Sequence, residues 1–497
     1  MKKIILSLIA FIYMFALNSK AQFAPATIVA NNAQPSYGPF ILTNCDMLTG
    51  LNTLSNTRIS VIVMTDGVAG TLFSEAVNAT TGNLLGTNII NLADTDATFA
   101  DVCLVARANS VYALVLYKKA SNGHTVLQTF LWHAPTYSFT DVQTQTLDTD
   151  PMDEMGHIDS DTNDYWVATW STVGTQTIKT CVGRTNSTGP FIVNNCSNVE
   201  LDYPNNIGAI GDLRNPDVAI YSNSNVTPSV TTIYYTYTAA GDRKVVVQDY
   251  KIVGNINNSF TAICDGNNGS LPAANVDVID ELTAPPPPLN NGFAGVRIAC
   301  HREDNDVNIL QEGFIIVYQR IGIVAVSPTL QQTHEVLGRA FFCSSNSACK
   351  YFPPLNNPAN NYCNGSLQFQ GVNPTQTLPD INSVMEENKL PQITLDRFTG
   401  TFDSNPNADG NTAILTWNYY DGTTYKHRPV MLYINIQTGL PQVTPNFTPT
   451  SQANLYLFNN VSTTNDNQIA VSVCSETGNT RHILYAWVDD ANNIVKY

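Results

Sequence analysis

The chain has 497 residues, a formal net charge of −16 and a pI near 4.7, with 13% of its residues charged. An acidic surface repels phosphate backbones and anionic lipid, which excludes nucleic acid and membrane surfaces as partners. Few Lys and Glu beside abundant Asn, Thr and Ser is the composition of strands and turns.

In chain order, Met1-Lys2-Lys3 is a short basic segment and Ile4 to Leu17 an apolar run interrupted by one serine. Small residues before Ala21-Gln22 complete the layout of a secretory signal peptide cleaved between those two residues. The apolar run falls short of the ~20 residues that span a bilayer. No later segment is apolar enough to cross, so the expected product is soluble, secreted or at the cell surface or periplasm. Loss of Lys2, Lys3 and Lys20 takes the charge from −16 to −19.

Phe23 to Ala30 then reads as a strand with no companions of its own. Behind it, one pattern recurs seven times: a strand apolar on alternate positions, often ending in an aromatic. It runs Ser60-Ile62-Met64, Ala113-Val115-Tyr117, Trp166-Ala168-Trp170, Ile233-Tyr235-Tyr237, Phe314-Ile316-Tyr318, Ala413-Leu415-Trp417 and Ile469-Val471-Val473. The residues between are largely apolar as well, as an inner strand of stacked sheets requires. An apolar strand precedes each copy: 39–43, 100–105, 155–159, 217–221, 295–300, 392–396 and 453–458. A third follows a Gly, Asn or Asp turn, for example at 125–132, 177–183, 244–252, 430–436 and 482–488. Some copies add a more polar fourth, at 139–147 and 191–195.

Four antiparallel strands per repeat resemble the blades of the β-propeller superfamily over nearly the whole mature length. The resemblance is architectural, and no functional residue carries over from it. It implies an all-β fold, a seven-bladed β-propeller of one domain over 22–497. Blades are expected near 38–93, 99–148, 155–200, 215–263, 293–343, 390–445 and 452–497, with insertions at 264–292 and 344–389. The last repeat ends after its third strand, so residues 23–30 are expected to complete it and close the ring without an exposed edge. Two β-sandwiches are the alternative, but they do not account for seven similar strands. The signal peptide resembles those of Bacteroidota.

Ten cysteines in an exported chain fit disulfides, with Cys181 and Cys196 flanking a hairpin and Cys343, Cys349 and Cys363 crowding one insertion. No C-x-x-C pair supports zinc. Nine Asn-x-Ser/Thr sequons match what an Asn-rich composition produces by chance.

Innermost propeller strands line a channel, and the polar residues on those strands are the binding candidates: His157, Asp217, Arg297, His301, Asp396 and Arg397. Together they suit a sugar or a carboxylate ligand. Asp159, Asp161 and Asp164 lie within six residues on one hairpin and suit a structural Ca²⁺, although Asx turns explain the same residues. No other cofactor is implied. Nucleophile elbows, zinc-protease helices, P-loops and dinucleotide-binding glycines are absent, as is the Ser-x-Asp-x-Gly-x-x-Trp box. The reading is a non-catalytic binding protein that recognises an extracellular protein or glycan through its inter-blade loops. One alternative is a carbohydrate-active enzyme using some of Asp159, Asp217, Asp396, His157 and His301 at the channel mouth. The other is a structural surface component.

Overall fold

A computed structural model describes 28 strands between Leu42 and Lys496, with Asn83, Asp96, residues 120–124 and 149–151, and Val173. Those residues form seven antiparallel sheets in succession along the chain. The first holds β1 (Leu42–Asn52), β2 (Thr57–Asp66), β3 (Leu72–Asn78) and β4 (Leu84–Ile90), and the second β5 (Ala97–Arg107), β6 (Ser110–Lys119), β7 (Thr125–His133) and β8 (Ser138–Asp148). The third holds β9 (Met152–Ser160), β10 (Tyr165–Thr172), β11 (Thr177–Arg184) and β12 (Ser197–Asp202). The fourth holds β13 (Leu213–Tyr221), β14 (Ser229–Tyr237), β15 (Arg243–Asn255), β16 (Ser259–Ile263) and β17 (Val276–Leu282). The fifth has β18 (Gly292–His301), β19 (Gln311–Val326), β20 (Thr329–Ser344) and β21 (Leu367–Gln370). The sixth has β22 (Glu387–Leu395), β23 (Thr412–Tyr420), β24 (Tyr425–Asn435) and β25 (Gln442–Thr444), and the seventh β26 (Ile469–Ser475), β27 (Arg481–Asp489) and β28 (Ile494–Lys496). Among the described residues there is no helix, and so none long and apolar enough to cross a membrane.

Each sheet follows chain order from its first strand outward, apart from β17, which pairs with β15 beside β16. The first strand of every sheet packs on the first strand of the next, and β26 packs on β1. Between sheets lies the apolar core. Val61 and Val63 of β2, Leu114 and Leu116 of β6, and Trp166 and Trp170 of β10 belong to one cluster across the first three sheets. Runs such as Ala113 to Tyr117 and Trp166 to Trp170 are buried on both faces, which is why these strands read as continuously apolar. Trp166 pairs across the ladder with Gly183, and its indole occupies the space that a β-carbon at Gly183 would need.

Strand register fixes the repeat more sharply than periodicity does. Met64, Tyr117, Trp170, Tyr318 and Trp417 each follow the residue that pairs, respectively, with Asp46, Asp101, His157, Arg297 and Gln392 of the preceding strand. In the fourth sheet the aromatic at that register is Tyr234, since Ile233 pairs with Asp217. Tyr235 and Tyr237, expected there, are out of step. The seventh sheet is shifted by a whole strand. Ile469–Ser475 was expected in second place, yet it packs against β1 and β22 as the other first strands do. The second strand is therefore Arg481–Asp489, whose Ala486-Trp487 matches Thr169-Trp170 in register. Valine alternation fits either place, and the neighbours on both sides decide it. The third strand of this sheet is Ile494–Lys496, paired with Arg481–Asp489.

Other expectations also shift. The fourth strand of the third sheet is Ser197–Asp202, whereas residues 191–195 and 453–458 lie outside the described residues, as do 23–30. The first insertion contains β17, so it is partly sheet, and the second contains β21. Cys181 is disulfide-bonded, while Cys103 is a buried thiol.

Outer strands are latched by a second repeated device. Asp148, at the end of β8, accepts from the Trp170 indole Nε1 at 2.9 Å, and Lys179 of β11 reaches it at 2.8 Å and Asp150 at 2.7 Å. Asp280 of β17 accepts in the same way from the Tyr318 hydroxyl at 3.0 Å in the next sheet. Burial pushes Asp148 up, but hydrogen bonds from Lys179, Trp170 and the Asp150 amide, with the lysine charge, hold it below the ordinary carboxylate range. Burial likewise lowers Lys179, and its two carboxylates more than reverse that. The lowered Asp148 contributes stability above its unfolded pKa and loses it as pH falls through the folded one; Lys179 contributes below its unfolded pKa and loses it as pH rises through the folded one. Asp148→Asn should therefore cost roughly 2–4 kcal/mol in urea unfolding at pH 7. The gap from the parent should close in strong acid, and a gap independent of pH would contradict this clamp.

Candidate functional site

The hub position is the residue of each first strand that pairs with the one before the repeated large side chain. It is filled by Asp46, Asp101, His157, Asp217, Arg297, Gln392 and Ala470 in the seven sheets. Because first strands pack on one another in succession, this register brings residues distant in sequence to one level.

Two of the aspartates do the same work. Asp101 accepts from its own neighbour, the Val102 amide, at 3.0 Å, and from the Ile158 amide of the next sheet at 2.8 Å. Asp217 accepts from the Val218 amide at 2.8 Å and from the Ile298 amide of the next sheet at 2.9 Å. Asp159, two residues past the hub, accepts from the Ile220 amide at 3.0 Å. First strands are edge strands, whose outward amides have no ladder partner within their own sheet. Burial would leave those amides unsatisfied, and the carboxylates of the preceding sheet supply the acceptors.

His157 lies between the two hub aspartates. Its Nδ1 is 3.0 Å from Asp101 Oδ2 and 3.9 Å from Asp217 Oδ1, and Phe99 meets its ring edge-on at 5.8 Å. A carboxylate cannot donate, so Nδ1 carries the proton.

Arg297, 4% exposed, reaches three other sheets. Its Nε donates to Gln392 Oε1 at 3.2 Å, and its Nη1 to the Val296 carbonyl at 2.7 Å and Asn215 Oδ1 at 3.5 Å. Its Nη2 lies 3.5 Å from Met155 Sδ. Bulges make this reach attainable. The pairing slips just before the hub in the fourth, fifth and sixth sheets. Asn215 and Gly295, both two residues before it, have φ of 51° and 55°. A residue in that left-handed conformation turns the strand and re-aims its side chain.

The candidates from sequence thus divide. His157, Asp217 and Arg297 share the hub level. His301 lies four residues further along β18, opposite Gly313, and Asp396 and Arg397 lie outside the described residues. Of the calcium candidates, Asp159 is buried and bonded to the Ile220 amide, and Asp161 and Asp164 lie outside the described residues. Among the described residues no group of three ligating side chains could hold a metal. Sequence reasoning missed Asp101, Asn215, Gln392 and Met155. Asp101 had a signal, an acid in an otherwise apolar strand.

Seven successive antiparallel sheets of three to five strands, packed first strand on first strand, define the class: an all-β protein with the architecture of a β-propeller. No protein-family model matches the chain. No curated protein matches it in sequence. Solved structures similar to it include a fucose-specific lectin from Aleuria aurantia, at 10% identity and TM-score 0.34, covering 83% of this chain and 100% of that one. Another is an α-L-arabinofuranosidase from Fusarium graminearum, at 8% identity and TM-score 0.37, covering 94% of each chain. A third is the Nup133 β-propeller domain of Vanderwaltozyma polyspora, at 7% identity and TM-score 0.34, covering 90% of this chain and 92% of that one. Likeness at this level carries neither ligand nor activity to this chain.

Replacing Asp217 with Ala removes the acceptor for two amides, and a buried unsatisfied amide costs about 1–3 kcal/mol. The expected loss is roughly 2–4 kcal/mol in denaturant unfolding, with faster hydrogen exchange at Ile298. Unchanged exchange at that amide would remove Asp217 from the inter-sheet role.

Proposed function

We propose that this chain is an exported, non-catalytic binding propeller that takes a glycan or protein ligand on its inter-blade loops. In this reading the seven sheets are the blades of one ring, and residues 23–30 add the strand that the last blade lacks. The observation that carries the non-catalytic reading is the state of the hub carboxylates. Asp101 and Asp217 each accept two backbone amides, and Asp159 accepts one, so these acids serve as joints between sheets. A glycosidase needs two carboxyls facing a shared substrate space. The insertions around β17 and β21 provide the variable surface on which propellers of this kind bind.

The test compares the mature protein with variants in which residues 265–275 or 371–386 are replaced by short Gly-Ser linkers, leaving β17 and β21 in place. Glycan-array and pull-down signals should fall at least tenfold in a linker variant and persist in His157→Gln. Binding lost in the channel variant but kept in both linker variants would move the site to the ring centre. The ring closure is tested separately. Deleting residues 22–31 should lower the melting temperature and promote association through the uncovered edge of β28; an unaltered melt and a monomer would refute it.

A further inference from the structure

Arg297 is a buried charge that forms no ion pair among the described residues. Its side chain is enclosed, and every acceptor around it is neutral: the Gln392 and Asn215 amide oxygens, the Val296 carbonyl and the Met155 thioether. Among the described residues no carboxylate forms an ion pair with it. The acid of the neighbouring hub position, Asp217, is turned to the Val218 and Ile298 amides and to His157. A buried guanidinium left in this state is costly, and an anion that enters removes the cost.

The weakest of its contacts marks where an anion belongs. Nη2 faces a thioether sulfur, a poor acceptor, while Nε and Nη1 have oxygen acceptors. Met155 and Gln392, which flank the guanidinium, are half-buried, whereas Arg297 itself is covered. The left-handed residues Asn215 and Gly295 sit in the slipped pairings that precede Asp217 and Arg297.

We propose that Arg297, with Asn215, Gln392 and Met155, forms an anion site at the centre of the ring, fitted to a small carboxylate such as that of an acidic sugar. The planar guanidinium fork matches a carboxylate, and the neutral amides beside it can meet hydroxyls. This site is separate from the loop-borne binding surface and stands or falls without it.

The test is thermal unfolding of the intact mature protein titrated with galacturonate, galactose or sodium chloride, with calorimetry in parallel. Galacturonate should raise the melting temperature logarithmically with concentration above Kd, by about 2–3 °C at a hundredfold excess, and calorimetry should show saturable binding. Galactose should leave the melting temperature unchanged. An equal rise with chloride would mark a general salt effect and overturn the carboxylate site. Arg297→Gln should abolish the response. Gln392→Glu places a carboxylate beside Nε, so it should melt above the parent in anion-free buffer and no longer respond. No response to either anion in the parent would overturn the proposal. So would a response that survives in Arg297→Gln, or in Gln392→Glu if the first variant does not fold.

Discussion

The innermost edge of each sheet is the constraint on which this molecule turns. A four-stranded sheet stacked around a centre has a first strand with ladder bonds on one side and bare amides on the other. Water is excluded there, so those amides need acceptors from the protein. Asp101, Asp159 and Asp217 provide them by reaching forward one sheet, to Ile158, Ile220 and Ile298. One carboxylate thus satisfies an edge and fixes the offset between two sheets. Apolar packing between sheets is indifferent to small slips along the strand; a carboxylate bonded to a particular amide is not.

The same register carries different chemistry from sheet to sheet. Acids and a histidine occupy it in the first four sheets, an arginine and a glutamine in the next two, and an alanine in the last. Asp101 and Asp217 join neighbours at close range. Where the residue is Arg297, a longer side chain crosses to the third, fourth and sixth sheets. The slipped pairing before the hub lets Asn215 come within reach of it.

Much of this was legible in the sequence, and the misreadings have physical causes. A strand buried on both faces announces itself through unbroken apolar character, and Trp170 or Tyr318 at its end sets the phase. In the fourth sheet Tyr234, Tyr235 and Tyr237 crowd both faces, so alternation cannot say which one is in register. In the seventh, Ile469 to Val473 has the pattern of a second strand but takes the first place, because position is decided by the sheets on either side. His157, Asp217 and Arg297 stood out as polar residues on apolar strands. Asn215 and Gln392 did not, since their role depends on a backbone irregularity that side-chain pattern does not encode.

The outer latches bear on how the molecule is made. Asp148 waits for an indole that is two strands downstream, and Asp280 for a phenol beyond a whole further strand. Asp101 and Asp217 point the same way along the chain. From the second sheet to the fifth, each module therefore depends on the next one in the chain for part of its hydrogen bonding, so none of these modules is a self-sufficient folding unit.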